Sequence, residues 1–168
     1  NGWGNGWGKG KVCPTGTSKF ELKLGPGRDG VEQTITGLAP GTTYKLARLG
    51  LHPLRVGHLF LTHHHSDHNA DVPCLLLVWW DQSRGEETPF TVYGPPPTAA
   101  FVDKLVGSEG AFRPDIEARL QHPASHYCHR ARGGSLPRPE PAFQVRELTD
   151  GADVTGPGWR ARAAVVQH

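Results

Sequence analysis

Six consecutive residues constrain this 168-residue chain more than any other feature. His63, His64, His65, Ser66, Asp67 and His68 follow directly on the apolar run Val-Gly-His-Leu-Phe-Leu-Thr at 56–62. Such a run reads as a buried strand. Side chains alternate along an extended chain, so His63 and His65 project to one side while His64 points away. Two imidazoles on one side can clasp one ion, at nitrogen–zinc distances of about 2.0–2.1 Å. The chain turns at Ser66, which brings Asp67 and His68 round from the start of the next helix toward a second ion. Two ions about 3.5–4 Å apart can share a bridging hydroxide, a strong nucleophile at neutral pH. The tract is interior and broken by Ser66 and Asp67, which sets it apart from an appended run of histidines.

The surroundings read as α/β. A helix is expected to end near residue 49 and to be stopped by Gly50. Helices are expected over 72–80, 98–106 and 114–120, with Asp115 near an N-terminus. Strands are expected over 90–93, 142–148 and 159–166, the last two separated by a polar turn at Asp150 and Gly151. Alternating strands and helices imply a layered sheet with helices on it. Ligands in such folds gather where loops leave the carboxyl ends of strands, and this is where the histidines fall.

His63-x-His65-x-Asp67-His68 resembles the H-x-H-x-D-H signature of the metallo-β-lactamase superfamily. The flanking LFLTHHHSDHNAD at 59–71 and VYGPPPTAAFVDKLV at 92–106 resemble its ribonuclease Z-like and arylsulfatase-like branches. The resemblance covers 47–168. It implies the N-terminal half of an αββα sandwich, and therefore an incomplete one. It also implies hydrolysis by water activated on one or two zinc ions, with iron or manganese as alternatives, acting on phosphodiester or related ester bonds of a small-molecule or nucleotide substrate. His63, His65, Asp67 and His68 would be metal ligands, with Asp67 also orienting the nucleophile. His168, after the run ARAAVVQH, would be the third ligand of the first ion. The family's bridging Asp, in a later Gly-Asp turn, and its final His have no counterpart before His168, and its early D-x-G turn has no clear match. The chain is thus expected to be a fragment or fusion product, poorly active alone.

Residues 1–46 differ in composition. They hold five of the six lysines, one of the twelve arginines and half of the 22 glycines, while all ten histidines lie beyond residue 50. A junction between segments of different origin is therefore expected near 45–48. The first segment reads as β: a strand at 19–24, a dense Gly/Pro turn at 25–30, an alternating strand at 31–36, and a turn at 38–44 leading into another strand. It resembles part of a carbohydrate-binding jelly-roll module. Trp3 and Trp7, in a repeated Asn-Gly-Trp-Gly, would then stack on sugar rings. A carbohydrate-binding fragment and an inactive chimeric or truncated product are thus the competing functions.

A formal net charge of +2 argues against electrostatic attachment to nucleic acid or membrane. No apolar stretch approaches the roughly 20 residues of a membrane span, and no secretory leader is visible. The compartment stays open, with the cytoplasm favoured for 47–168, and so does the oligomeric state. Three scattered cysteines, Cys13, Cys74 and Cys128, argue against a disulfide framework. Cys74 reads as a small buried apolar residue. His122, His126 and His129 with Cys128 match no zinc spacing, so residues 121–141 are expected to form a solvated inserted loop. Arg130, Arg132 and Arg138 would be wet surface. Asp71 is a candidate for orienting a ligand imidazole.

Overall fold

A computed structural model describes residues 17–24 and 33–166, with side chains from residue 35 onward. In chain order the elements are β1 (Thr17–Leu24), β2 (Gln33–Thr36), α1 (Thr42–Arg48), a 3-10 turn (Pro53–Arg55), β3 (Val56–Phe60), α2 (Ser66–Asn69), α3 (Val72–Gln82) and β4 (Thr91–Gly94). They continue with α4 (Thr98–Val106), α5 (Arg113–Gln121), α6 (Pro123–Ala131), β5 (Gln144–Glu147), β6 (Asp153–Gly156) and β7 (Trp159–Val166). The strands form a parallel sheet ordered β2-β3-β4-β5 and an antiparallel sheet ordered β1-β7-β6. Parallel neighbours need long crossovers, and the helices supply them.

The parallel sheet is covered on both faces, as parallel sheets are. Leu59, Leu61, Phe90 and Val92 face the helices and pack with Leu75, Leu76, Trp79, Val102 and Ile116. The alternate residues Phe60 and Tyr93 face the second sheet and pack with Leu148, Trp159, Ala161 and Ala163. Period-two alternation therefore puts one stripe of each strand into each core. The result is a helix layer on a sheet on a sheet, a partial α/β sandwich of the expected kind. Between the sheets Phe60 and Tyr93 stack at 4.5 Å, and Trp159 meets them edge-on at 5.4 and 5.7 Å.

Both sheets take strands from either side of the compositional step. β1 pairs with β7 along its full length, from Thr17 opposite Val166 to Leu24 opposite Trp159, and β2 runs parallel to β3. The turn at 38–44 differs from expectation: it opens α1 rather than a strand. Gly41 takes the left-handed conformation with φ 76°, and the Thr42 hydroxyl bonds the Ala39 carbonyl at 2.7 Å. The carboxylate of Asp71 accepts from the Thr43 N–H, an outside cap for a helix whose own N-cap residue lacks a side chain. The strand–turn–strand pattern behind the carbohydrate-module resemblance is therefore absent at 38–44. Trp3, Trp7, Cys13 and His168 lie outside the described residues.

The loop expected over 121–141 contains α6, and β6 forms in the turn region between β5 and β7. Cys74 is exposed rather than buried. No described helix is long and apolar enough to cross a membrane.

Candidate metal centre

β3, an interior strand, carries the chain to the carboxyl end of the parallel sheet with Leu59, Phe60 and Leu61 buried. The residues that follow cannot continue the strand. His65 is extended, with φ −67° and ψ 144°, and serves as the N-cap position of the single-turn helix α2. That turn brings Asp67 and His68 back beneath His63. Among the described residues, His63, Asp67 and His68 offer ligand atoms that all lie within 4.8 Å of one another. His63 is buried, His68 half-buried and Asp67 exposed, so the group opens to solvent on its carboxylate side. The His68 Nε2 lies 3.4 Å from an Asp67 carboxylate oxygen. The His63 ring centroid is 4.3 Å from that of His68 and 4.7 Å from that of His65.

All three members of the group come from the motif, and the His65 ring lies 4.7 Å from that of His63, its partner under alternation. His63 sits with Asp67 and His68, and His65 stands exposed beside them rather than inside the three-atom group. The turn at Ser66 carries Asp67 and His68, four and five positions beyond His63, back toward it. His64 points away, as alternation requires. Its Nε2 lies 3.2 Å from the Pro95 carbonyl and 3.1 Å from the Thr98 hydroxyl.

The surroundings hold the group in place. The Thr62 hydroxyl lies 2.9 Å from His63 Nδ1, a contact of the kind that fixes a ligand ring. Asn69, 8% exposed, donates its amide to the His64 carbonyl at 3.2 Å. The Leu38 N–H donates to the His68 carbonyl at 2.6 Å. Of these supports only Leu38 arrives by a tertiary approach, 30 residues from His68; Thr62 and Asn69 act within the motif's own loop, one and five residues from their partners. Asp71, expected to orient an imidazole, caps α1 instead.

The second histidine cluster is used locally. His122 Nδ1 accepts from the Ala124 N–H at 3.2 Å, His126 Nε2 meets the Leu120 carbonyl at 2.6 Å, and the fully buried His129 meets the Ser135 carbonyl at 3.1 Å. These are helix and loop ties, not a metal set. Arg138 is likewise no wet surface: it is 6% exposed, lies over the Trp80 ring at 4.3 Å, and reaches Asp81 at 3.1 Å. Burial works against charge on Asp81. The hydrogen bond from Arg138 and the charges of Arg119, Arg132 and Arg138 outweigh that burial and hold its carboxyl below the usual range.

A His and Asp group able to hold a metal ion, at the carboxyl end of a parallel strand in a sheet between helices and a second sheet, makes this an α/β sandwich with a candidate metal site. The family model of the metallo-β-lactamase superfamily matches residues 25–166, and the chain belongs to that superfamily. The ribonuclease Z of Mycobacterium sp. (strain KMS) is 30% identical over 141 residues, covering 84% of this chain and 45% of that protein. The ribonuclease Z of Mycobacterium avium (strain 104) is 31% identical over 142 residues, 84% of this chain and 46% of that protein. That of Thermococcus kodakarensis is 35% identical over 82 residues, 48% of this chain and 24% of that protein. The chain thus spans less than half the length of these relatives.

Proposed function

We propose that this chain carries the metal-binding part of a hydrolase that cleaves phosphodiester or related ester bonds with metal-activated water. The observation that carries the proposal is the convergence of His63, Asp67 and His68 within 4.8 Å. Ligands about 2.0–2.2 Å from a tetrahedral ion stand roughly 3.4 Å apart, so small side-chain adjustments close these three on one cation. Two imidazoles and a carboxylate suit zinc, and also iron or manganese. His65 and His168 are further proposed ligands, the first 4.7 Å ring to ring from His63. The chemistry lies in 47–168, with β1 and β2 completing the sheets.

A divalent ion held here lowers the pKa of water and stabilises charge developing on oxygen. The protein's own part is placement. His63, buried at the strand end, sets the floor of the site. Asp67, exposed at its mouth, would help hold the ion, and its carboxylate would accept a hydrogen bond from a bound water and so orient it. The similarity to proteins named ribonuclease Z favours a phosphodiester of nucleic acid among the esters the superfamily resemblance allows.

Zinc content by elemental analysis, together with turnover of a chromogenic phosphodiester, tests this. His63→Ala and Asp67→Ala are expected to lose both the bound metal and any turnover. Unchanged metal content in both variants would remove the proposal.

A further inference from the structure

We infer that His64, the middle residue of the motif, is a positioning residue that ties the ligand loop to the turn between β4 and α4. The inference rests on the reading of His63, Asp67 and His68 as ligands. The Thr98 hydroxyl donates its single hydrogen to the Pro95 carbonyl at 2.6 Å. Toward His64 that hydroxyl oxygen is therefore an acceptor, and so is the Pro95 carbonyl. His64 Nε2 carries the hydrogen and donates between the two, at 3.1 and 3.2 Å. On its other side the His64 carbonyl receives the Asn69 amide at 3.2 Å. The residue is thus held through both side chain and backbone, with His63 and His65 one peptide away on either side.

The turn that receives it is built for close approach. Thr98 is fully buried. A Cβ on Gly94 would stand 2.3 Å from the Thr98 hydroxyl oxygen and 3.2 Å from the Leu61 Cβ, so only glycine lets the end of β4 lie against both. Because β3 and β4 are parallel neighbours, their carboxyl ends are adjacent, and a histidine pointing away from the metal group reaches the next crossover. His64 thereby converts the rigidity of the β4–α4 turn into a fixed direction for the imidazoles flanking it.

The test is a cobalt(II) titration of the full chain, followed by visible absorption and paired with a thermal melt. His63→Ala is expected to abolish the cobalt spectrum. His64→Ala and Thr98→Val are expected to melt cooperatively and bind cobalt about tenfold more weakly, and Thr98→Ser to restore binding. If His64→Ala does not fold, the Thr98→Val and Thr98→Ser pair decides alone. Wild-type affinity in Thr98→Val overturns the inference. So does a complete loss in His64→Ala with Thr98→Val silent, which would make His64 a ligand. A wild-type cobalt spectrum in His63→Ala would instead defeat the underlying metal site.

Discussion

The backbone N–H of Leu38 donates to the carbonyl of His68 at 2.6 Å. The loop after β2 therefore hangs on the helical turn that carries two of the proposed ligands, and Leu38 itself is fully buried in the main core. A chain beginning at residue 47 loses this tie, the β2 edge of the parallel sheet and the partner strand of β7. It is expected to show no cooperative thermal transition and no bound zinc. A sharp melt with zinc retained would show that 47–168 folds and binds metal without the strands before it.

Gly37 sits beside the same contact with φ 68°. An added Cβ would make only ordinary contact, 3.6 Å from His68 Nδ1, so the cost of a side chain there is conformational. The left-handed region costs an L-residue about 1–2 kcal/mol. Gly37→Ala is expected to lower stability by that amount in urea unfolding, with the zinc stoichiometry of the folded protein unchanged.

A ligand that binds only the folded state stabilises it by mass action. At free zinc about one hundred times the dissociation constant the gain is about 2.7 kcal/mol. For a domain of this size that corresponds to roughly 5–11 °C in melting temperature. Chelation is expected to lower the melting temperature of the wild-type chain accordingly and to leave His63→Ala unmoved. An equal chelator effect on both proteins would place the stabilising ion elsewhere.

Asp81 lies among Arg119, Arg132 and Arg138, and the Arg138 side chain is 1% exposed. The folded-state carboxyl titrates below its usual value. Its contribution is therefore complete above the ordinary aspartate pKa of about 3.9 and is lost as pH falls through the depressed value. Removing one partner of a buried pair costs about 3–5 kcal/mol. Asp81 retains some exposure, so Asp81→Asn is expected to cost about 2 kcal/mol at pH 7. Urea unfolding at several pH values checks the sign: the difference from wild type should shrink below about pH 4. A difference that grows in acid would contradict it.

The helices and the strand that leads to the histidines were legible because their signals are local. The apolar run before His63, Gly50 at φ 74° after α1 and the span of α4 all appear where the residues place them. What escaped depends on contacts distant in sequence. The stretch at 38–44 has turn chemistry that serves a strand or a helix equally, and Asp71, 28 residues from Thr43, decides for the helix. Residues 121–141 are rich in Pro, Gly, His and Arg, which reads as loop. Yet His129 and Arg138 are buried by partners on α3 and in the following loop. At the candidate metal centre the residue types were readable from the motif. The close approach of His63, Asp67 and His68 also depends on the tight turn at Ser66, which residue types alone do not specify.

Trp159 closes the space between the two sheets, 6% exposed and edge-on to both Phe60 and Tyr93. Its ring lies over Gly156, across the turn between β6 and β7: a Cβ there would stand 2.3 Å from the indole Cε2 and Cζ2. The ring cannot stay where it is if residue 156 gains a methyl group, and its neighbours are packed on the far side. Overpacking of this kind costs about 1–3 kcal/mol. Gly156→Ala is expected to lower the melting temperature by roughly 2–4 °C for each kcal/mol and to change the near-ultraviolet circular dichroism as the indole reorients. Trp159→Leu leaves room for the new methyl, so adding Gly156→Ala to it should cost far less than in the wild-type chain. Equal costs in the two backgrounds would mean that the glycine is required by the β6–β7 turn and not by the indole above it.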